Sequence, residues 1–165
     1  MAVTYEPIAS QTLGANASSV TFSSIPSTFS DLILVCDFAV TTDTNVYFRV
    51  GASAADSGTN YSQTNLSGNG TSAVSNRRSS NDAILIANAN GRGANNRNTV
   101  VINFMSYANT NVFKTTLSAS AAPSVDVFRE VGLWRSTSAI GVISLLSSGN
   151  YASGSTFSLF GVKAA

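Results

Sequence analysis

Polar and apolar side chains alternate with a period of two along almost the whole chain, a pattern that fits β-strands and not amphipathic helices. No segment combines apolar residues at helical spacing with a cap at its start and glycine after its end. Turn-forming clusters of Gly, Asn, Ser and Pro separate the alternating segments. The predicted strands are 19–23, 31–40, 46–50, 83–87, 99–105, 113–121, 125–134, 139–146 and 155–160. We therefore expect an all-β fold, an antiparallel β-sandwich of jelly-roll type that forms a single domain over residues 1–165.

Three segments carry more specific expectations. Residues 52–80 are polar and rich in Gly, Ser and Asn, which predicts a long ordered loop with one short strand inside it, or a surface flap. Gly132 interrupts the long strand 125–134 and predicts a β-bulge. Residues 1–12 form an N-terminal arm or an edge strand, because Pro7 disfavours a central strand.

The charges are few and scattered, nine Lys and Arg against eight Asp and Glu. Binding to nucleic acid or to an anionic membrane needs clustered basic residues, so we expect neither partner. A surface with so little charge gives little repulsion between copies, which favours self-association. The N-terminus lacks the basic and apolar regions of a signal peptide, and no apolar stretch is long enough to span a bilayer, so we expect synthesis in a cytoplasm.

The side chains needed for catalysis or metal binding are scarce. Histidine is absent, and the single cysteine, Cys36, lies in an apolar run that predicts burial. Residues 56–60 contain one carboxylate, Asp56, and are a turn more readily than a calcium loop. The glycines of 88–98 lack a phosphate-binding signature. We expect no enzyme, no cofactor and no metal.

A few basic and aromatic residues are candidates for contact with a partner or a sugar. The adjacent pair Arg77 and Arg78 suits an acidic patch on a partner, although solvated loop residues are the simpler interpretation. Trp134 lies in an apolar strand and is predicted to be core. A second set suits a sugar or a partner, because its members lie in polar segments between the predicted strands: Tyr61, Arg92, Arg97 and Tyr151.

Several segments together are similar to a known module. These are SSVTFSSIP at 18–26, FSDL at 29–32, GTNYS at 58–62, GLWRS at 132–136 and GSTFSLFGV at 154–162. They resemble a β-sandwich module of tailed-phage virion proteins, over most of the chain from about residue 5 to the end. The matching residues are turn and core positions, so the resemblance implies a fold and a setting, not a chemistry.

The resemblance implies two alternative roles. One is a stand-alone cement or decoration protein, a homotrimer on the outer surface of the phage head that bridges and stabilises subunits of the major capsid protein after synthesis in the host cytoplasm. Because Met1 comes directly before the module, we expect no fibre shaft, which favours this role. The residues expected to contact the capsid or a neighbouring subunit are Val3, Tyr5, Ile8, Arg77 and Arg78. The alternative is the receptor-binding tip of a tail fibre, where Tyr61, Arg92, Arg97 and Tyr151 would contact a host surface glycan.

Overall fold

Twelve strands and no helix form the part of the chain that the computed structural model describes, residues 4–88, 96–122 and 125–163. No helix that could cross a membrane occurs in these residues. The strands are β1 (Tyr5–Thr12), β2 (Ala17–Phe22), β3 (Asp31–Phe38), β4 (Val46–Gly51), β5 (Tyr61–Gly68), β6 (Ala73–Asn81), β7 (Ile84–Ala87), β8 (Asn98–Met105), β9 (Lys114–Ala122), β10 (Asp126–Trp134), β11 (Val142–Tyr151) and β12 (Thr156–Val162). The predicted antiparallel β-sandwich is confirmed.

The strands form two antiparallel sheets. The larger has eight strands in the order β1-β12-β3-β8-β9-β10-β5-β6, and the smaller has four in the order β2-β11-β4-β7. The first five strands alternate between the two sheets, as the crossing connections of a jelly roll do. One half of the large sheet consists of β9, β10, β5 and β6. This half lies to one side of the strands that contribute most of the aromatic core.

Aromatic side chains from both sheets meet in the core. Phe38 of β3 lies 5.3 Å edge-on to Tyr151 of β11, and Phe157 of β12 lies 5.1 Å from the same tyrosine between ring centres. Phe48 of β4 packs edge-on against Phe104 of β8 at 5.5 Å. Edge-to-face pairs at these distances add to the burial of the rings. Apolar residues at every second position of β3, β4, β8 and β12 therefore form this core, as the sequence predicts.

Residues 52–80 differ from the prediction. They hold two strands, β5 and most of β6, which pair as a hairpin with a tight turn in which the Asn69 side chain accepts from Thr71 and Ser72 N–H. The apolar alternation that marks other strands is missing there because the inward positions of β5 are largely polar and β6 is an exposed edge.

The predicted bulge at Gly132 is also wrong. β10 pairs in continuous register with β9 and with β5 through this residue. A Cβ here would lie 2.6 Å from Ile84 Cδ1 and closer still to side-chain oxygens of Glu130 and Thr116. The glycine is therefore needed for close packing of the sheets and not for a change of register.

Candidate interaction surface

The interior beneath β7 is polar. Here β5, β9 and β10 of the large sheet face β7 of the small one, and the buried inward side chains include amides, hydroxyls and a carboxyl group: Gln63, Asn65, Thr116, Ser118, Ser120 and Glu130. Buried polar groups are tolerated when hydrogen bonds replace their contacts with water. On the same inward positions β5 and β10 also bury three aromatic rings, those of Tyr61, Phe128 and Trp134, so the polar groups lie between apolar ones.

Gln63 joins the two sheets through this polar interior. The Leu85 N–H of β7 donates to Gln63 Oε1 at 2.7 Å, and Gln63 Nε2 donates to the Leu85 carbonyl at 3.2 Å. The side-chain amide thus pairs with the main chain of β7 as a neighbouring strand would. This contact holds the short β7 against the large sheet.

Glu130 is a buried carboxyl group in the same layer. Its side chain is 3% exposed, and Ser118 Oγ donates to Oε2 at 2.8 Å. Its other oxygen, Oε1, and Thr116 Oγ1 are buried with no hydrogen-bond partner among the described residues. Burial raises the pKa of Glu130 from 4.5 to about 8, although the Ser118 bond opposes the rise.

The opposite face of these strands is apolar and exposed. Five large hydrophobic side chains on the outer side of the eight-stranded sheet each expose 41 to 60% of their surface: Leu66, Met105, Leu117, Val127 and Val131. We call these five residues the apolar outer face. Soluble monomers rarely leave such a set uncovered, so a face of this kind marks a contact surface.

The strand register brings the members of this face together. Val131 of β10 lies directly opposite Leu117 of β9, and Arg129 lies opposite Leu66 of β5. Leu66, Leu117, Arg129 and Val131 line a shallow depression of about 370 Å³. Arg129 forms no ion pair with any carboxylate in the described part of the chain, so a partner that fills the depression can also offer it an acceptor.

The predicted capsid or subunit contacts lie at two distant edges. Tyr5 is exposed on β1, and Ile8 of the same strand is partly buried against the core. Arg77 and Arg78 lie on β6, at the opposite edge of the sheet, and Val3 lies outside the described residues. Seven strand spacings separate β1 from β6, roughly 30 Å. These residues do not form one patch.

The tyrosines predicted to contact a glycan lie in strands, so their predicted placement in loops is wrong. Tyr61 begins β5 and Tyr151 ends β11, and both are completely buried. The Tyr61 hydroxyl accepts from Val50 N–H at 3.0 Å and lies 2.8 Å from the Val50 carbonyl, so it binds the main chain of β4. Polar flanking residues suggested exposure, but each ring fills space between the sheets.

The same predicted set contains two arginines, Arg97 and Arg92. Arg97 is exposed, and its guanidinium donates to Asp37 from Nε at 2.9 Å and from a terminal nitrogen at 3.0 Å. This two-pronged contact raises the pKa of Arg97 and occupies the group that a glycan would need. Arg92 lies outside the described residues.

Asp56 forms a turn, as predicted. Its carboxylate accepts from Gly58 N–H at 2.8 Å, from Asn60 Nδ2 at 2.9 Å and from Trp134 Nε1 at 2.8 Å. The Trp134 bond is the main reason why the pKa of Asp56 is lowered. Trp134 is buried, and so is Cys36, whose thiol pKa is raised by burial. No cluster of three potential metal ligands occurs in the described part of the chain.

The sequence of β9 contains a weak sign of the apolar outer face. β9 alternates Thr116, Ser118 and Ser120 with Leu117 and two alanines. Alternation shows that a strand has two unlike faces, but small hydroxyl residues and small apolar residues are both compatible with either side. Which side of such a strand faces outwards is decided only by the position of the partner sheet.

Comparisons with known proteins add little. No protein-family description matches the chain, and no curated protein matches it. Among solved structures, an exo-inulinase from Aspergillus awamori is similar to it with 12% sequence identity and a TM-score of 0.44. The match covers 96% of this chain and 29% of the inulinase chain, so this chain spans less than a third of that enzyme's length. A likeness at this level supports no inference about function.

Proposed function

We propose that the chain is a structural subunit of a tailed-phage virion, a cement or decoration protein on the outer surface of the head. In this role it is a homotrimer without enzymatic activity that bridges and stabilises subunits of the major capsid protein. The proposal joins the resemblance of the sequence to virion modules with one structural observation, the apolar outer face. It requires no cofactor, nucleic acid or membrane.

The apolar outer face supports an assembled state on energetic grounds. Complete burial of a Val, Leu or Met side chain contributes about 1.5–3 kcal/mol. The five side chains of this face are already about half covered by their neighbours, so covering the remainder contributes about 1 kcal/mol each. A few kcal/mol per contact is modest, but a symmetric lattice repeats the contact and adds it across many sites.

The polar layer beneath this face supports the same role. Strands β5, β9 and β10 bury hydroxyl, amide and carboxyl groups among a few aromatic rings, while Leu and Val lie outside, where a sheet with one solvated face usually carries polar residues. The exposed Leu and Val side chains are buried only when a second molecule covers the outside. The observation that carries the proposal is therefore the exposure of Leu117 and Val131 side by side.

The fibre-tip alternative has less support. Two of the four side chains expected to contact a glycan, Tyr61 and Tyr151, are buried, and a third, Arg97, is engaged by Asp37. No aromatic ring in the described part of that set is left to stack on a sugar.

Labelling of intact particles tests the role. Gold-labelled antibody against this chain, applied to particles of the phage that encodes it and imaged by electron microscopy, should decorate the whole head. Label confined to the tail tip would replace the cement role with the fibre role, and particles without label would exclude both.

A charge placed on the apolar outer face tests the subunit contact. Val131→Asp should shift the purified chain from oligomer to monomer in sedimentation velocity over a range of concentrations. Ser19→Asp adds the same charge to an exposed position of the small sheet and should leave the oligomer intact. Equal sedimentation of the wild type and both variants would show that this face is not the contact.

A further inference from the structure

Over residues 73–78, the free edge of β6 lacks the features that protect the other sheet edges in the described chain; its one irregularity is a register shift between Arg78 and Asn81, where Ser80 has a φ of 55°. Unpaired N–H and C=O groups at an edge pair with other chains unless the edge is short, irregular or covered. β1 carries Pro7 and a register shift before Ala9, and Gln11 covers β2 by donating to the Thr21 carbonyl at 2.8 Å. β7 has four residues, and Gln63 binds its main chain.

β6 is longer and open. Its nine residues pair only with β5 among the described strands, and most of them are exposed. Asn69 N–H donates to the Ser72 carbonyl at 3.2 Å, so hydrogen-bonded pairs of the hairpin alternate from this pair onwards. By this alternation Val74 bonds to β5, while Ser75 and Arg77 direct their N–H and C=O groups away from it. From Ala73 to Arg78 the edge therefore offers a regular row of donors and acceptors.

Two arginines lie at the centre of this edge on opposite faces of the sheet. The Arg78 guanidinium lies 5.8 Å from the centre of the Tyr47 ring, on the side of the small sheet. Arg77 lines a hollow of about 220 Å³ on the outer side together with Val131. Neither arginine forms an ion pair with a described carboxylate, and Asp82, which follows the strand, is bound by Arg49.

A second copy of β6 matches this edge less well than an acidic strand does. In the antiparallel register centred on Arg77, that residue lies directly opposite its counterpart in the other copy, where like charges destabilise a strand pair. In the register centred on Ser75, Arg77 lies opposite Ala73. No register supplies a carboxylate to Arg77 or Arg78, because β6 contains none. The charge on the edge therefore favours an acidic strand.

We propose that the β6 edge binds an extended acidic segment of another protein by strand addition. The main chain of the segment pairs with Ser75 and Arg77, and two consecutive carboxylates reach Arg77 on one face and Arg78 on the other. The inference rests on the proposed function in one respect, that the capsid shell supplies the segment. The edge itself can be tested without a particle.

The probe is a blocked nine-residue synthetic peptide of alternating Thr and Val with a central Glu-Glu pair, matched by one with Gln-Gln. Amide hydrogen exchange of the full chain, followed by NMR, should slow at Ser75 and Arg77 when the first peptide is added. Val74 and Asn76 already bond to β5 and should change little. Two exposed ion pairs predict an affinity about fivefold to tenfold higher for the Glu-Glu peptide than for the Gln-Gln peptide.

Two variants separate main-chain pairing from charge. Ser75→Pro removes an outward N–H but no bond to β5, so it should abolish binding of both peptides. The double variant Arg77→Glu, Arg78→Glu should lose the Glu-Glu peptide and gain a Lys-Lys peptide of the same design. If Ser75→Pro does not fold, the charge-reversal pair still decides the outcome.

Three results would overturn the inference: no binding of the Glu-Glu peptide to the wild type, binding that ignores both variants, or self-association of the chain that Ser75→Pro abolishes. None of these results bears on Val131→Asp or on the gold label, so the strand-addition site and the proposed virion role can fail separately.

Discussion

Ionisation of Glu130 should make the stability of this protein fall as the pH rises. The group is 3% exposed, and Ser118 satisfies only one of its oxygens. In the unfolded chain the carboxyl group is solvated and has its ordinary pKa of 4.5, whereas in the fold its pKa is about 8. Between these values the folded state holds a proton that the unfolded state releases.

The direction and the size of the pH dependence of stability follow from this difference in pKa. Because the folded state binds more protons, this contribution to the free energy of unfolding is complete below pH 4.5 and is lost as the pH rises to about 8. Each pH unit in this window costs about 1.4 kcal/mol, so the loss between pH 5 and pH 7 is about 3 kcal/mol. That is a large share of the stability of about 5–15 kcal/mol typical of a domain.

Glu130→Gln removes the titration and preserves the shape. The amide oxygen can still accept from Ser118, and its NH₂ can donate to Thr116 Oγ1, which has no partner among the described residues. We expect the variant to be about 3 kcal/mol more stable than the wild type at pH 7 and nearly equal to it at pH 4.5.

Urea unfolding at pH 4.5, 5, 6, 7 and 8, followed by fluorescence of the single tryptophan, Trp134, measures both proteins at one concentration. Asp43→Asn removes an exposed carboxylate and is the control for the loss of one acidic group. Parallel pH profiles for the wild type and Glu130→Gln would show that the buried group is already charged in the fold and that the reasoning is wrong.

Three further substitutions test the packing of the interior by urea unfolding. Gly132→Ala should cost about 1–3 kcal/mol, because the new Cβ overlaps three side chains, whereas Gly14→Ala meets nothing within 4 Å and should be neutral; equal stabilities would contradict the close packing. Tyr61→Phe should cost about 1–3 kcal/mol, since the main-chain groups of Val50 lose their buried partner, and a neutral result would mean that water replaces the hydroxyl. Lys114→Met should cost about 2–3 kcal/mol, because three main-chain carbonyls within 3.0 Å lose a charged donor; an unchanged midpoint would show that these bonds contribute nothing.

Much of the fold could be predicted from the sequence because strand periodicity and turn chemistry are local properties. Strands such as β3 and β8 have apolar residues on their inward positions and large aromatic or branched side chains among them. In these strands the residues that the alternating pattern predicts to be inside are the buried ones. Cys36 and Trp134 were predicted to be core for the same reason, and both are buried.

The face that β5, β9 and β10 turn towards the small sheet was decided by the tertiary structure. A period of two distinguishes two faces without saying which is inside, and a strand of Ser, Thr, Leu and Ala fits either way. The bond from Gln63 to the main chain of β7 and the burial of Phe128 and Trp134 make this side the inner one. Leu117 and Val131 are outside as a consequence.

The sequence by itself therefore determined that this chain forms a β-sandwich, along with most of its strands and much of its core. Only the tertiary structure decided that Tyr61 and Tyr151 are buried and that an apolar face is left open. The physical reason is that these outcomes depend on partners far away in the chain, such as β4, β7 and β11, whose side chains and main-chain groups compete with water for the same positions.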